Sequence, residues 1–173
     1  MAAGSTYTPI ASTTLGSSQS SVTFSSLGSY TDLVIDVTGT SAAAANVIIR
    51  FNGENTGTNY SFIGLNNRSE GAGTAVVTAR TGGTSYMNIN WYTAFTGDAR
   101  SQSKIHIMNY RGSTYKSVLI RSITAPGNST FSGNEVITGL WRNTAAITSV
   151  QIVCDGSTFS SGSTFNVYGI ASA

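Results

Sequence analysis

The 173 residues carry a formal net charge of +2, and only 9% of them are charged, against about 25% in an ordinary globular protein. Hydrophobic residues reach 40% and aromatics 10%, which excludes intrinsic disorder, a state that needs low hydrophobicity and high net charge. The small charge also argues against a general nucleic-acid binder, and no apolar run approaches the ~20 residues of a membrane helix.

The start, MAAGSTYTPIAST, lacks the charged head and apolar centre of a signal peptide, so a soluble protein not exported by the standard route is expected. TPIAST and SVTF, within a Ser/Thr-rich stretch that carries Val22, Phe24 and Leu27, are predicted as short strands. TDLVIDVTG then alternates at period two, with Leu33, Ile35 and Val37 on one face and Asp32, Val34, Asp36 and Thr38 on the other, the signature of a half-buried strand. SAAAAN (Ser41 to Asn46) is the one helical candidate, a single turn at most, with Ser41 as its cap.

NVIIRF continues the strand pattern, and an oxygen-rich loop follows: Asn52, Glu54, Asn55, Thr56, Thr58 and Asn59. Asn52-Gly53 suits positive φ at a strand exit. One carboxylate among amides is a poor calcium site, because Ca²⁺ takes 6–8 oxygens and usually several carboxylates. The loop therefore reads as a connection whose stems are anchored by Phe51, Tyr60 and Phe62. Asn52, Glu54 and Asn55 form its contact tip, and Glu54→Ala is expected to leave folding nearly unchanged.

YSFIG, TAVVTA and SYMNINWY are further strands. In the last, alternation groups Tyr86, Asn88, Asn90 and Tyr92 on one face and Met87, Ile89 and Trp91 on the other. Aromatics beside amides suit a sugar face or a protein contact, so those four residues are the candidate binding platform; the competing reading is an ordinary outer face with Trp91 in the core. SKIHIMNY, KSVLIRS, NEVITGLW, AITSVQIVCD and STFNVYGI complete the series, with KSVLIRS apolar on both faces as a central strand would be. Some ten to twelve strands separated by Gly, Ser, Asn and Asp clusters predict an all-β fold. The expected architecture is an antiparallel two-sheet sandwich of the jelly-roll type, as a single domain over residues 1–173 with a short N-terminal extension or strand.

Chemistry is sparse. The lone His106 lies between Ile105 and Ile107 on the opposite strand face, with Asp98 the nearby acid in sequence and no Gly-x-Ser-x-Gly elbow, so no nucleophilic triad is expected. Asp32 and Asp36 share a face, but at ~3.4 Å per residue they stand about 13–14 Å apart, outside the roughly 5–9.5 Å of glycosidase pairs. Cys154, within VQIVCDG, reads as a small buried hydrophobe. Sequons at Asn59, Asn67 and Asn128 match what this composition gives by chance. Arg100, Lys104, Arg111, Lys116 and Arg121 occupy a stretch without acids, which reads as a mildly basic sheet face or, more sharply, as a surface for an acidic partner. No catalytic residue, metal site or cofactor is expected.

SSVTFSSLGSYTDLVIDV, VIIRFNGENTGTNYSF and the closing GSTFNVYGIASA resemble a group of tailed-bacteriophage virion proteins. That group shares a V-T-F-S-S strand leading to Y-T-D-L, an R-F-N-G hairpin, and a terminal V-Y-G-I. The resemblance covers Ser21 to Val37, Ile48 to Phe62 and Ser163 to Ala173; residues 64–158 lie outside it. It implies a jelly-roll module of a tail fibre, an appendage or a capsid decoration (cement) protein, none with a catalytic motif. A sandwich that fills the chain suits a decoration protein, expected as a homotrimer on the particle surface that clamps the major capsid protein and is made in the host cytoplasm. Few edge lysines guard the sheet edges, and an oligomer would cover them. The alternative is a tail component that recognises a host glycan through Tyr86, Asn88, Asn90 and Tyr92. Neither reading involves nucleic acid or membrane.

Overall fold

A computed structural model describes residues 6–70, 73–97, 99–124 and 133–171, with the backbone alone at 68–70, 73–77 and 92. Among the described residues there is no helix, and the SAAAAN stretch is a bend in which Ser41 Oγ donates to the Ala43 carbonyl at 2.6 Å. Twelve strands form: β1 (Thr8–Thr14), β2 (Ser21–Ser25), β3 (Asp32–Gly39), β4 (Ala45–Phe51), β5 (Tyr60–Glu70), β6 (Gly73–Thr84), β7 (Met87–Phe95), β8 (Ser101–Ile107), β9 (Lys116–Thr124), β10 (Gly133–Trp141), β11 (Ser149–Asp155) and β12 (Thr164–Ile170).

All pairings are antiparallel. The large sheet runs β1-β12-β3-β8-β9-β10-β5-β6 and the small one β2-β11-β4-β7. Taken without β5, β6, β9 and β10, the eight remaining strands alternate strictly between the sheets along the chain and order as 1-12-3-8 and 2-11-4-7. That is the jelly roll, two interleaved Greek keys. The β5–β6 and β9–β10 hairpins are insertions into this frame. They pair with each other through β10 and β5 and extend the large sheet beyond β8.

The frame follows its period-two pattern. Leu33, Ile35 and Val37 of β3, Phe165 and Val167 of β12, and Val47, Ile49 and Phe51 of β4 are buried in one core, while Asp36 and Asn166 face outward. The SYTDL and VYGI segments are physically coupled. Thr31 N donates to the Ile170 carbonyl at 2.8 Å, and the Tyr30 ring lies so close over Gly169 that a Cβ there would meet it at 2.2 Å. Only glycine admits this contact. Cys154 is buried, and burial pushes its thiol up to about 11, so it behaves as a core hydrophobe.

Candidate contact surface

The register of the large sheet generates its outer face row by row. One cross-strand row reads Asp36, Lys104, Arg121, Val136, Leu65, Thr78. The next reads His106, Leu119, Thr138, Ile63, Arg80. A third places Ile123 opposite Asn134 and Asn67. Across the extension, Ile63 (49% exposed), Leu65 (52%), Val136 (41%) and Ile123 (52%) therefore form a diagonal aliphatic stripe open to solvent. Leu65 and Val136 are direct cross-strand partners. An open groove beside it is lined by Ser61, Ile63, Arg80, Thr138 and Leu140.

Charge on this face is uneven. Over the frame, cations meet anions: Lys104 Nζ lies 3.3 Å from Asp36, and His106 Nε2 lies 2.8 Å from Asp32 Oδ2. Asp32 Oδ1 also accepts the Asn109 amide at 2.8 Å, so the two aspartates act apart, each at its own partner. Over the extension, Arg80 and Arg121 are exposed, and no ion pair engages them among the described residues. The basic stretch is not one face: Lys116 is buried, Arg111 binds Gly28 O and Ser29 Oγ in the loops, and Arg100 donates to Gly162 O.

Beneath the stripe the interior is polar. Ser103 and Ser122 share a hydrogen bond of 2.8 Å, as do Ser101 and Thr124 at 3.0 Å. Glu135 is buried; its Oε2 accepts Trp91 N at 2.8 Å and Thr93 Oγ1 at 3.3 Å. Ser122 Oγ and Thr124 Oγ1 donate to the Ile89 and Thr93 carbonyls. These side chains take up backbone groups of β7 where its pairing with β4 breaks register. Sequence reading missed Glu135 because its role needs a strand from the opposite sheet. The available signal was a carboxylate at an inward position of an otherwise apolar alternation in NEVITGLW.

That geometry corrects the predicted platform. Asn90 is fully buried; its Oδ1 accepts Val47 N at 2.5 Å and its Nδ2 donates to the Thr93 carbonyl at 2.6 Å. Asn88 is buried and Tyr86 half-buried. The side chain of Tyr92 lies outside the described residues, as do Asp98 and Asn128. The amides bridge an irregular strand pair and do not face a ligand, while Met87 and Ile89 are core and Trp91 packs half-buried against it.

The loop tip is corrected likewise. Asn52 (φ 54°) and Gly53 (φ 70°) form a tight turn closed by Glu54 N donating to Phe51 O at 3.0 Å; positive φ at both central positions is the type I′ pattern. Asn52 is no contact tip: Oδ1 accepts Thr148 N at 2.7 Å and Nδ2 donates to Ala146 O at 2.9 Å, which ties the β10–β11 connection down. Glu54 joins Asn59 Nδ2 and Trp141 Nε1, each at 2.7 Å. Trp141 is fully buried, so losing Glu54 strands an interior donor, contrary to the expected neutrality of Glu54→Ala. Asn55 alone stays exposed. Phe51, Tyr60 and Trp141 stack with centroids 5.4–6.4 Å apart. Lys116 Nζ sits 5.8 Å over the Trp141 ring and donates to the Thr114 carbonyl. Burial lowers the Lys116 ammonium and raises the Tyr60 phenol from their ordinary values.

No family model matches the sequence, and no curated protein does. Among solved structures the chain is similar to the exo-inulinase from Aspergillus awamori, at 15% identity and a TM-score of 0.44 over 95% of this chain and 29% of that one. The chain thus spans less than a third of that enzyme's chain, and a likeness this distant carries no argument about activity. Among the described residues, no three His, Cys, Asp or Glu side chains gather where they could share a metal ion.

Proposed function

We propose that this protein is a non-enzymatic structural component of a tailed-phage particle, a capsid decoration protein that assembles as a trimer and braces contacts between capsid subunits. The observation that carries the reading is the aliphatic stripe of Ile63, Leu65, Val136 and Ile123 on the outer face of the extension. Contiguous exposed apolar side chains rimmed by polar ones mark interaction sites on proteins. The segments that resemble phage virion proteins fall on the frame: β2 and β3, the β4–β5 hairpin, and β12. They build the scaffold, and the stripe lies mostly on the inserted strands that the resemblance does not reach. The rival glycan-binding reading loses its platform, because Asn88 and Asn90 are turned inward and committed to the backbone.

The test uses emptied tailed-phage shells and the purified protein. Stable decoration, a raised shell melting temperature and a trimeric mass by light scattering are expected. Absence of shell binding, together with attachment to host cells, would overturn the reading.

A further inference from the structure

We infer that the outer face of the β9–β10–β5–β6 extension docks a protein surface that is acidic as well as apolar. Carboxylates on that surface would reach Arg121 and Arg80, and its apolar groups would cover the stripe between them. The inference rests on the proposed contact role of this face and adds the chemistry of the partner.

Two observations carry it. First, the extension's outer face is one-signed. Arg121 lies between Lys104 and Val136 in its cross-strand row, and the single acid of that row, Asp36, is taken by Lys104 at 3.3 Å. Arg80 flanks Ile63 on the far side, and none of the described outward positions on β9, β10, β5 or β6 is acidic. Like charges directly opposite each other, as Lys104 and Arg121 are, destabilise a sheet, so the fold itself gains nothing from a cation at 121. Secondly, the two guanidinium groups bracket the stripe, three strand spacings or about 14 Å apart across the sheet. Guanidinium is the side chain best suited to bidentate carboxylate recognition at an interface.

A second copy using the same face is disfavoured by that charge. A two-fold contact sets the same patch on both partners, and here it would bring arginines together with no carboxylate to receive them. The occupant is therefore a different surface, one with carboxylates spaced to meet both arginines.

The experiment uses methyl-labelled full-length protein and nuclear magnetic resonance. The probe is a random glutamate–tyrosine copolymer, with poly-lysine as the control. The copolymer should shift the methyls of Ile63, Leu65, Ile123 and Val136 and leave those of buried Val118 and Ile120 in place. Apparent affinity should fall by about tenfold or more in the R80E/R121E double variant and decline with added salt. An equal response to poly-lysine, a response located elsewhere, or an undiminished response in the double variant would overturn the inference. So would a trimer that Ile123→Ser dissociates, since that places a second copy on this face. Shells separate this inference from the reading beneath it. If they bind wild type and the double variant equally, the virion role stands and the acidic partner falls. If they do not bind wild type, the virion role falls and the copolymer result alone decides here.

Discussion

The frame and the extension of the large sheet obey opposite rules. On β3 and β12 the inward residues are Leu33, Ile35, Val37, Phe165 and Val167, and the outward ones include Asp36, Thr38 and Asn166. At the far end of β9, β10 and β5 the polarity inverts. Ser122, Thr124, Glu135 and Asn66 are buried, while Ile123, Val136, Ile63 and Leu65 face solvent. Folding alone does not favour that inversion. A buried carboxylate loses hydration and must be compensated by hydrogen bonds, and half-exposed aliphatics forgo part of the roughly 1.5–3 kcal/mol that full burial of each contributes. The inner half has a structural reason, since Glu135, Ser122 and Thr124 hold the irregular stretch of β7 against the large sheet. The outer half has none within the chain, which is why the stripe reads as a surface made for something else.

The inner half breaks most severely at Glu135. Glu135→Ala removes the acceptor for Trp91 N and Thr93 Oγ1 in the interior, and unpaired buried donors cost about 1–3 kcal/mol each. A loss of about 3 kcal/mol in denaturant unfolding is expected. Glu135→Gln, which keeps an acceptor oxygen, should lose less; equal stability in all three proteins would show that β7 does not depend on this carboxylate.

The frame's apolar core gives a contrasting signature in alkaline solution. Cys154 ionises near 9.0 when exposed and near 11 when folded. Below pH 9 both states hold the proton and stability is unaffected. Above it the unfolded chain ionises first, and roughly 2–3 kcal/mol is lost as pH rises through the folded value. Tyr60, raised by burial from 10.0, adds a loss of the same sign at higher pH. Lys116, lowered from 10.5, acts the other way, since its folded form releases the proton first. The denaturation midpoint should fall from about pH 9 upward, and Cys154→Ala should flatten that fall; identical pH profiles would refute the assignment. A smaller effect is expected at Glu54→Ala, about 2 kcal/mol, from stranding the buried Trp141 Nε1 donor. Glu54→Gln, which can still accept that bond, should recover much of it in the same unfolding assay.

These residues also mark how far sequence reading reached. The frame was legible because its faces are cleanly divided at period two: the inward sets of β3, β4 and β12 and the all-β class follow from alternation and turn residues alone. The hairpin at Asn52-Gly53 was legible for the same local reason. Burial of Asn88, Asn90 and Glu135 was not, because each is satisfied by groups distant in sequence: Asn90 by Val47, Glu135 by Trp91 and Thr93. Alternation says which residues share a face, and in an edge strand that breaks register it does not say which face is wet. Glu54 was misjudged for a related reason. Its partner Trp141 lies 87 residues away, and a carboxylate in an Asn/Thr-rich loop carries no local mark of that bond. The aliphatic stripe escaped because its members come from three strands, and only the register of β9, β10 and β5 lines them up.

The smallest expected effect on folding is the one that separates the halves most sharply. Ile123→Ser or Leu65→Thr removes a side chain already about half in water, so little burial is lost, and a surface substitution without a special contact falls within about ±0.5 kcal/mol. The equivalent change on the frame, Ile35→Ala, empties a fully buried site and should cost roughly 2–5 kcal/mol. Thermal and denaturant unfolding of the three variants gives the stability half of the comparison, and shell binding gives the other. If the stripe exists for a partner, Ile123→Ser and Leu65→Thr keep the fold and lose the binding. If either variant unfolds as readily as Ile35→Ala, the stripe is part of the packing after all, and the inversion of polarity is a property of the fold rather than of its use.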